Sequence, residues 1–185
     1  MTLMRSDHCV LVLVDYQSRL MPAIHQSADV VARAHLVAQT ANALDIPIIG
    51  TEQNPTGLGP NVETIKALCA HTVSKMHFGA CADGLLDVVH TVRSECDDIV
   101  IAGCEAHVCL LQTAMGLLSA GKRVWVVENA SGSRRATDHA AAMRRLSASG
   151  ATIVTHEMVM FEWLRDCRHP EFKKVLQWIK AADQA

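Results

Sequence analysis

The run Asp98-Ile-Val-Ile-Ala-Gly-Cys-Glu-Ala-His-Val-Cys109, continued by Leu110-Leu-Gln-Thr-Ala114, decides how the rest of the chain is read. Ile99 to Ala102 has the length and β-branched content of a buried strand. Gly103 breaks that run, and from Ala106 a helical pattern continues through Leu110, Leu111, Ala114, Leu117 and Leu118 to a stop at Gly121. Cys109 therefore falls in the first turn of a helix that leaves the end of a strand. Helix N-termini carry unpaired N–H groups and about half a positive charge. A thiol there is expected to shift toward thiolate, from a free pKa near ~8.5 into the range of roughly 3.5–7.5. The bland alternative is one more buried small hydrophobe.

Working outward, His8 to Val14 is a run apolar on both faces, as in a parallel strand covered by helices on each side. It ends on Asp15-Tyr16-Gln17, at the carboxyl edge where open α/β sheets place their ligands. Ala28 to Leu44 has helical periodicity, Pro47 to Gly50 reads as a second strand, and Thr51 to Pro60 as a connection. Val62 to Cys69 reads as a short helix, and His71 to Ser74 as a third strand ending on Lys75. Met76 to Cys81 is loop and Asp83 to Arg93 helix. After the opening strand and helix come a strand at Arg123 to Glu128 and a turn at Asn129 to Ser133. Then follow a helix at Ala136 to Ser149, a strand at Ala151 to Thr155, and helices at Val159 to Leu164 and Glu171 to Lys180.

Six strands alternating with helices make an α/β domain with a mostly parallel, Rossmann-like sheet. The expected order is 3-2-1-4-5-6, which reverses between strands 1 and 4. Asp15 and Cys109 then face each other across that crevice, and Lys75 follows strand 3 at the same edge. No glycine-rich phosphate loop follows strand 1, which disfavours dinucleotide and nucleoside triphosphate binding.

The chain has 185 residues, enough for one domain over residues 1–185, and a formal charge of only −2. Nothing in that charge argues for nucleic acid or an acidic membrane. Seven cysteines form an odd set with no C-x-x-C pair and no zinc-ligand rhythm. Met1 to Ser6 is too short and polar for a secretory leader, and no apolar run reaches the ~18 residues of a membrane span. A cytoplasmic protein without metal or other cofactor is the expectation.

A thiol nucleophile needs a base, and Asp15, emerging from an apolar strand, is placed to serve as one. Lys75 beside the pair would favour the thiolate, and the backbone N–H groups of Glu105 and Cys109 could hold an oxyanion. Tyr16, Gln17 and Phe78 are candidate pocket residues, with Glu105. His107 lies two residues before Cys109, an offset at which side chains on a helix point apart.

Along nearly its whole length the chain resembles the isochorismatase-like cysteine hydrolase superfamily, and within it the isochorismatase domain-containing group. The carrying segments are Val14-Asp-Tyr-Gln17, Thr51-Glu-Gln-Asn-Pro-Thr-Gly-Leu-Gly-Pro60, Ser74-Lys-Met-His-Phe78, and Gly103 to Cys109 with Gln112-Thr-Ala114. The resemblance implies an Asp–Lys–Cys triad on Asp15, Lys75 and Cys109, and a cis peptide at Cys104–Glu105. Nicotinamidases of the superfamily carry an Asp-x-His metal site after the second strand, where this chain has Thr51-Glu52-Gln53. Isochorismatases have a different acid at the nucleophile position, so Cys109 favours amide, imide or ester hydrolysis through an acyl-thioester. A small-molecule substrate and a homo-oligomer, dimer or higher, are expected. The competing reading is a non-catalytic oligomeric binding protein, with Phe161, Trp163, Leu164, Phe172 and Trp178 as a subunit face.

Overall fold

The computed structural model describes residues 3–182, so Met1 and Thr2 of the polar start lie outside the described residues. Six strands form one sheet: β1 Cys9–Val14, β2 Ile48–Gln53, β3 His71–Lys75, β4 Asp98–Gly103, β5 Arg123–Val127 and β6 Thr152–Val154. Their order is β3-β2-β1-β4-β5-β6, and each neighbouring pair is parallel. The expected α/β architecture and strand order are thus observed, in a single domain.

The helices are α1 Ser27–Ala43, α2 Pro55–Leu58, α3 Glu63–Lys66, α4 Leu85–Val92, α5 Leu111–Ser119, α6 Ala136–Ala148, α7 His156–Leu164 and α8 Phe172–Ala182. Every residue of β1 and of β4 is buried, because helices cover both faces. Leu11, Leu13, Val100 and Ala102 pack under α1 and α7. Val10, Val12, Ile99 and Ile101 pack under α4, α5 and α6. Alternate side chains of a strand point to opposite faces, so one apolar run feeds two cores.

β2 runs three residues beyond the expected Gly50. Thr51, Glu52 and Gln53 are polar, yet they pair with Val73, Ser74 and Lys75 of β3, and Thr51 also pairs with Val14. The backbone continues the ladder where the side-chain pattern ends. The subunit face assigned to the C-terminal aromatics is corrected for Trp163 and Leu164. Trp163 and Leu164 are buried in this chain's own cores, while Phe161, its ring tilted against Phe172 at 6.5 Å, stays exposed. Among the described residues no helix is long and apolar enough to cross a membrane.

Gly103 ends β4 opposite Val14. A Cβ at Gly103 would lie 2.3 Å from the Val14 carbonyl oxygen and 2.5 Å from its Cβ. Only glycine lets these two strands close up where the chain turns toward Cys109.

Candidate active site

Three strands deliver the site to one edge of the sheet. Asp15 follows β1 in a left-handed conformation, φ 54°, which costs a non-glycine residue about 1 kcal/mol and which aspartate tolerates better than most. Its carboxylate is fully buried and has two partners. Lys75 Nζ, at the end of β3, donates to Oδ2 at 2.7 Å, and Thr51 Oγ1, on β2, donates to Oδ1 at 2.6 Å. The ammonium also donates to the carbonyls of Phe78, 3.0 Å, and His77, 3.4 Å. Its three protons therefore have three acceptors.

The Cys109 sulfur meets this pair and interacts with both the Asp15 carboxylate and the Lys75 ammonium. Asp15, Lys75 and Cys109 are thus brought together. Two expectations about the thiol are corrected. Cys109 does not open an α-helix: Ala106–Leu110 forms a π-helical turn, and α5 begins after it. Nor is the thiol shifted toward thiolate. Burial pushes it up to about 12, the Asp15 carboxylate pushes the same way, and Lys75 opposes both. At 7% exposure the cost of desolvating a sulfur anion outweighs the neighbouring ammonium. The resting Cys109 thiol is therefore neutral.

The turn before Cys109 departs from α-helical bonding. The Cys104–Glu105 peptide is cis. The Glu105 carbonyl accepts from Val108 N at 3.0 Å and from Leu110 N at 3.2 Å, not from Cys109 N as an α-helix would have it. The Glu105 carboxylate turns outward to Arg134 Nε, 2.9 Å. His107 Nδ1 lies 3.0 Å from Ser133 Oγ, so its imidazole is engaged away from the thiol. Ala106 N donates to Gly132 O at 2.7 Å, and Gly132 N to Gly103 O at 3.1 Å. Residues 132–134 thereby strap the turn in place.

The pocket residues expected from sequence fare differently. Tyr16 is a core residue under α1, its hydroxyl donating to Ala130 O at 2.5 Å, and lines no site. The Gln17 amide is spent on the end of β2 and the connection after it. It donates to Gly59 O, 2.6 Å, and Gln53 O, 3.0 Å, and accepts from Gln53 N, 2.9 Å. Both are corrected on that ground. Phe78 reaches the site through its carbonyl on Lys75, while its ring is half exposed. Thr51 was missed: only the β1–β2 register, with Thr51 beside Val14, places its hydroxyl next to Asp15. At the place of the nicotinamidase ligands, Thr51 serves Asp15 and Glu52 accepts from Asn61 N at 2.8 Å. Among the described residues no three His, Cys, Asp or Glu side chains gather as a metal site.

With this geometry in view, comparison with known proteins is decisive. The isochorismatase domain model matches residues 9–158. The chain belongs to the isochorismatase family. A mouse member, isochorismatase domain-containing protein 2A, is 36% identical over 174 residues, spanning 94% of this chain and 84% of that protein. A solved structure described as a MAR1 ribonuclease from Caenorhabditis elegans superposes with a TM-score of 0.90 at 30% identity, covering 97% and 93% of the two chains. YcaC from Escherichia coli, described as an octameric hydrolase of unknown specificity, gives 0.86 at 22% identity, covering 100% and 98%. At that identity the likeness is one of fold. Membership in the isochorismatase family supports a hydrolase. The residues of the site carry the rest of the argument.

Proposed function

We propose that this isochorismatase-family chain is a metal-independent cysteine hydrolase of small amide-, imide- or ester-like carbonyl compounds. One observation carries the reading: a fully buried Asp15–Lys75 ion pair, 2.7 Å apart, in direct interaction with the Cys109 sulfur. A buried pair of this kind contributes little to stability compared with apolar packing, so its place beside a nucleophile is best explained by chemistry.

A thiol held near pKa 12 is almost wholly protonated at neutral pH. It needs a base within reach, and Asp15 is that base. As the Cys109 sulfur bonds to the carbonyl carbon, its proton passes to the Asp15 carboxylate, and Lys75 compensates the charge left at the site. The N–H groups of Glu105 and Cys109 receive the carbonyl oxygen as it becomes an oxyanion. Collapse breaks the bond to the amine or alkoxide, which leaves with the proton from Asp15. Water then attacks the acyl-thioester, giving its proton to Asp15, and the acid and the free thiol are released. General-base assistance of this sort contributes about 10²- to 10⁴-fold.

We further assign the chain to a homo-oligomer, as the E. coli relative is described as octameric. Met76 and Phe78, on the loop that holds Lys75, are large apolar side chains left exposed in the single chain. The test is a panel of small esters, anilides, cyclic imides and ureides, with an RNA oligonucleotide included because of the C. elegans neighbour. Turnover of a carbonyl substrate that disappears in Cys109→Ala supports the reading. Cleavage of RNA alone, or turnover that survives the substitution, overturns it.

A further inference from the structure

Thr113 lies one helical turn after Cys109 and is fully buried. Its hydroxyl donates to the carbonyl of Cys109 itself at 2.7 Å, and accepts from the Ala80 N–H at 3.1 Å. A threonine four residues on usually makes only the first of these bonds. Here the same oxygen also grips another segment, the loop that follows β3. That loop carries the Phe78 and His77 carbonyls bonded to the Lys75 ammonium. A second contact lies at the same seam, because a Cβ at Gly79 would sit 3.3 Å from Gln112 O, so the loop rests directly on the α5 backbone. The Cys81 sulfur faces the Thr113 carbonyl at 3.7 Å.

We propose that Thr113 is a positioning residue that fixes the distance between the nucleophilic sulfur and the Lys75 ammonium, by tying the Cys109 backbone to the loop that holds the lysine. The proposal rests on the cysteine-hydrolase reading and deepens it. The charged groups that reach the Cys109 sulfur are Asp15, from the end of β1, and Lys75, from the end of β3. Of the two, only Lys75 favours the thiolate, so any slackening of its hold leaves the sulfur harder to ionise. Thr113→Val keeps the shape but leaves the Ala80 N–H without an acceptor, and the 78–80 loop is then free to draw its carbonyls, and Lys75 with them, away from the sulfur.

The experiment measures iodoacetamide labelling of Cys109, read by peptide mass spectrometry between pH 7 and pH 10, with no substrate present. Thr113→Val labels about tenfold more slowly at each pH, the equivalent of one pKa unit, and Thr113→Ser restores the rate. Ala80→Pro removes the donor instead of the acceptor. Its φ suits the first position of the short helical turn Ala80–Asp83, and Gly79 before it is already extended. It produces the same slowing, so the proposal does not depend on the valine variant folding. In an Asp15→Asn/Lys75→Met background, where no ammonium remains to be held, Thr113→Val has no further effect, as coupling through the lysine requires. Unchanged labelling in both Thr113→Val and Ala80→Pro, or an equal slowing in the background lacking Lys75, overturns the proposal. The hydrolase reading fails on other grounds, namely turnover that survives Cys109→Ala, so the two failures are told apart.

Discussion

At the scale of the residue, the site turns on which group holds one proton. Burial and the Asp15 carboxylate both hold the Cys109 thiol in its neutral form. Its reactivity toward iodoacetamide should accordingly rise about tenfold per pH unit from pH 7 to pH 10, with no plateau, since only the thiolate attacks. Asp15→Asn keeps the shape and the tolerance for a positive φ. It removes a charge that opposes the thiolate, so labelling of Cys109 at a given pH becomes faster, by about tenfold for each unit the pKa falls. Turnover moves the other way, down by about 10²- to 10⁴-fold, if Asp15 is the base as proposed. A carboxylate that merely braced the site would not separate the two measurements. Asp15 and Lys75 were legible in the sequence because each falls at the carboxyl end of a strand, and Cys109 because it opens the helical pattern that leaves the end of β4. The state of the thiol was not, because desolvation depends on packing of α5 and α6 against the Cys109 turn, which no local pattern reveals.

At the scale of the element, the close approach of β1 and β4 governs where the turn to Cys109 begins. Gly103→Ala places a methyl group against the backbone of Val14. Neither strand can yield, as each is hydrogen-bonded on both sides. The expected cost is about 2–4 kcal/mol in urea unfolding, in the upper range for single substitutions. A substrate that reports kcat should show a further loss, because the Glu105 N–H moves with the strand. The strands themselves were readable, since burial on both faces gives continuous apolar runs. The polar tail of β2 and the π-helical turn were not. The first is set by pairing with β3, and the second by the strap from Gly132 to Arg134, and both are contacts between segments distant in the chain.

At the scale of the molecule, the order of the strands brings residues 15, 75 and 109 to one place. That order was foreseeable because right-handed crossovers and a single reversal leave few arrangements of six parallel strands. Assembly is a separate matter, decided by surface. The cluster of aromatics near the C-terminus misled because it is used internally, by Trp163 and Leu164 against α1 and α8. Sedimentation equilibrium should give a mass that is a multiple of the 20.1 kDa chain. A monomer at micromolar concentration would set aside the homo-oligomer.

The central claim is that an acyl group passes through one sulfur, and intact-protein mass spectrometry after rapid acid quench tests it most directly. With a hydrolysed small ester or imide in excess, the wild-type chain is predicted to gain the mass of a single acyl group, mapped to Cys109, and Cys109→Ala to gain none while losing turnover. Steady hydrolysis by a Cys109→Ala chain, or an acyl group mapped to another cysteine, would contradict the account.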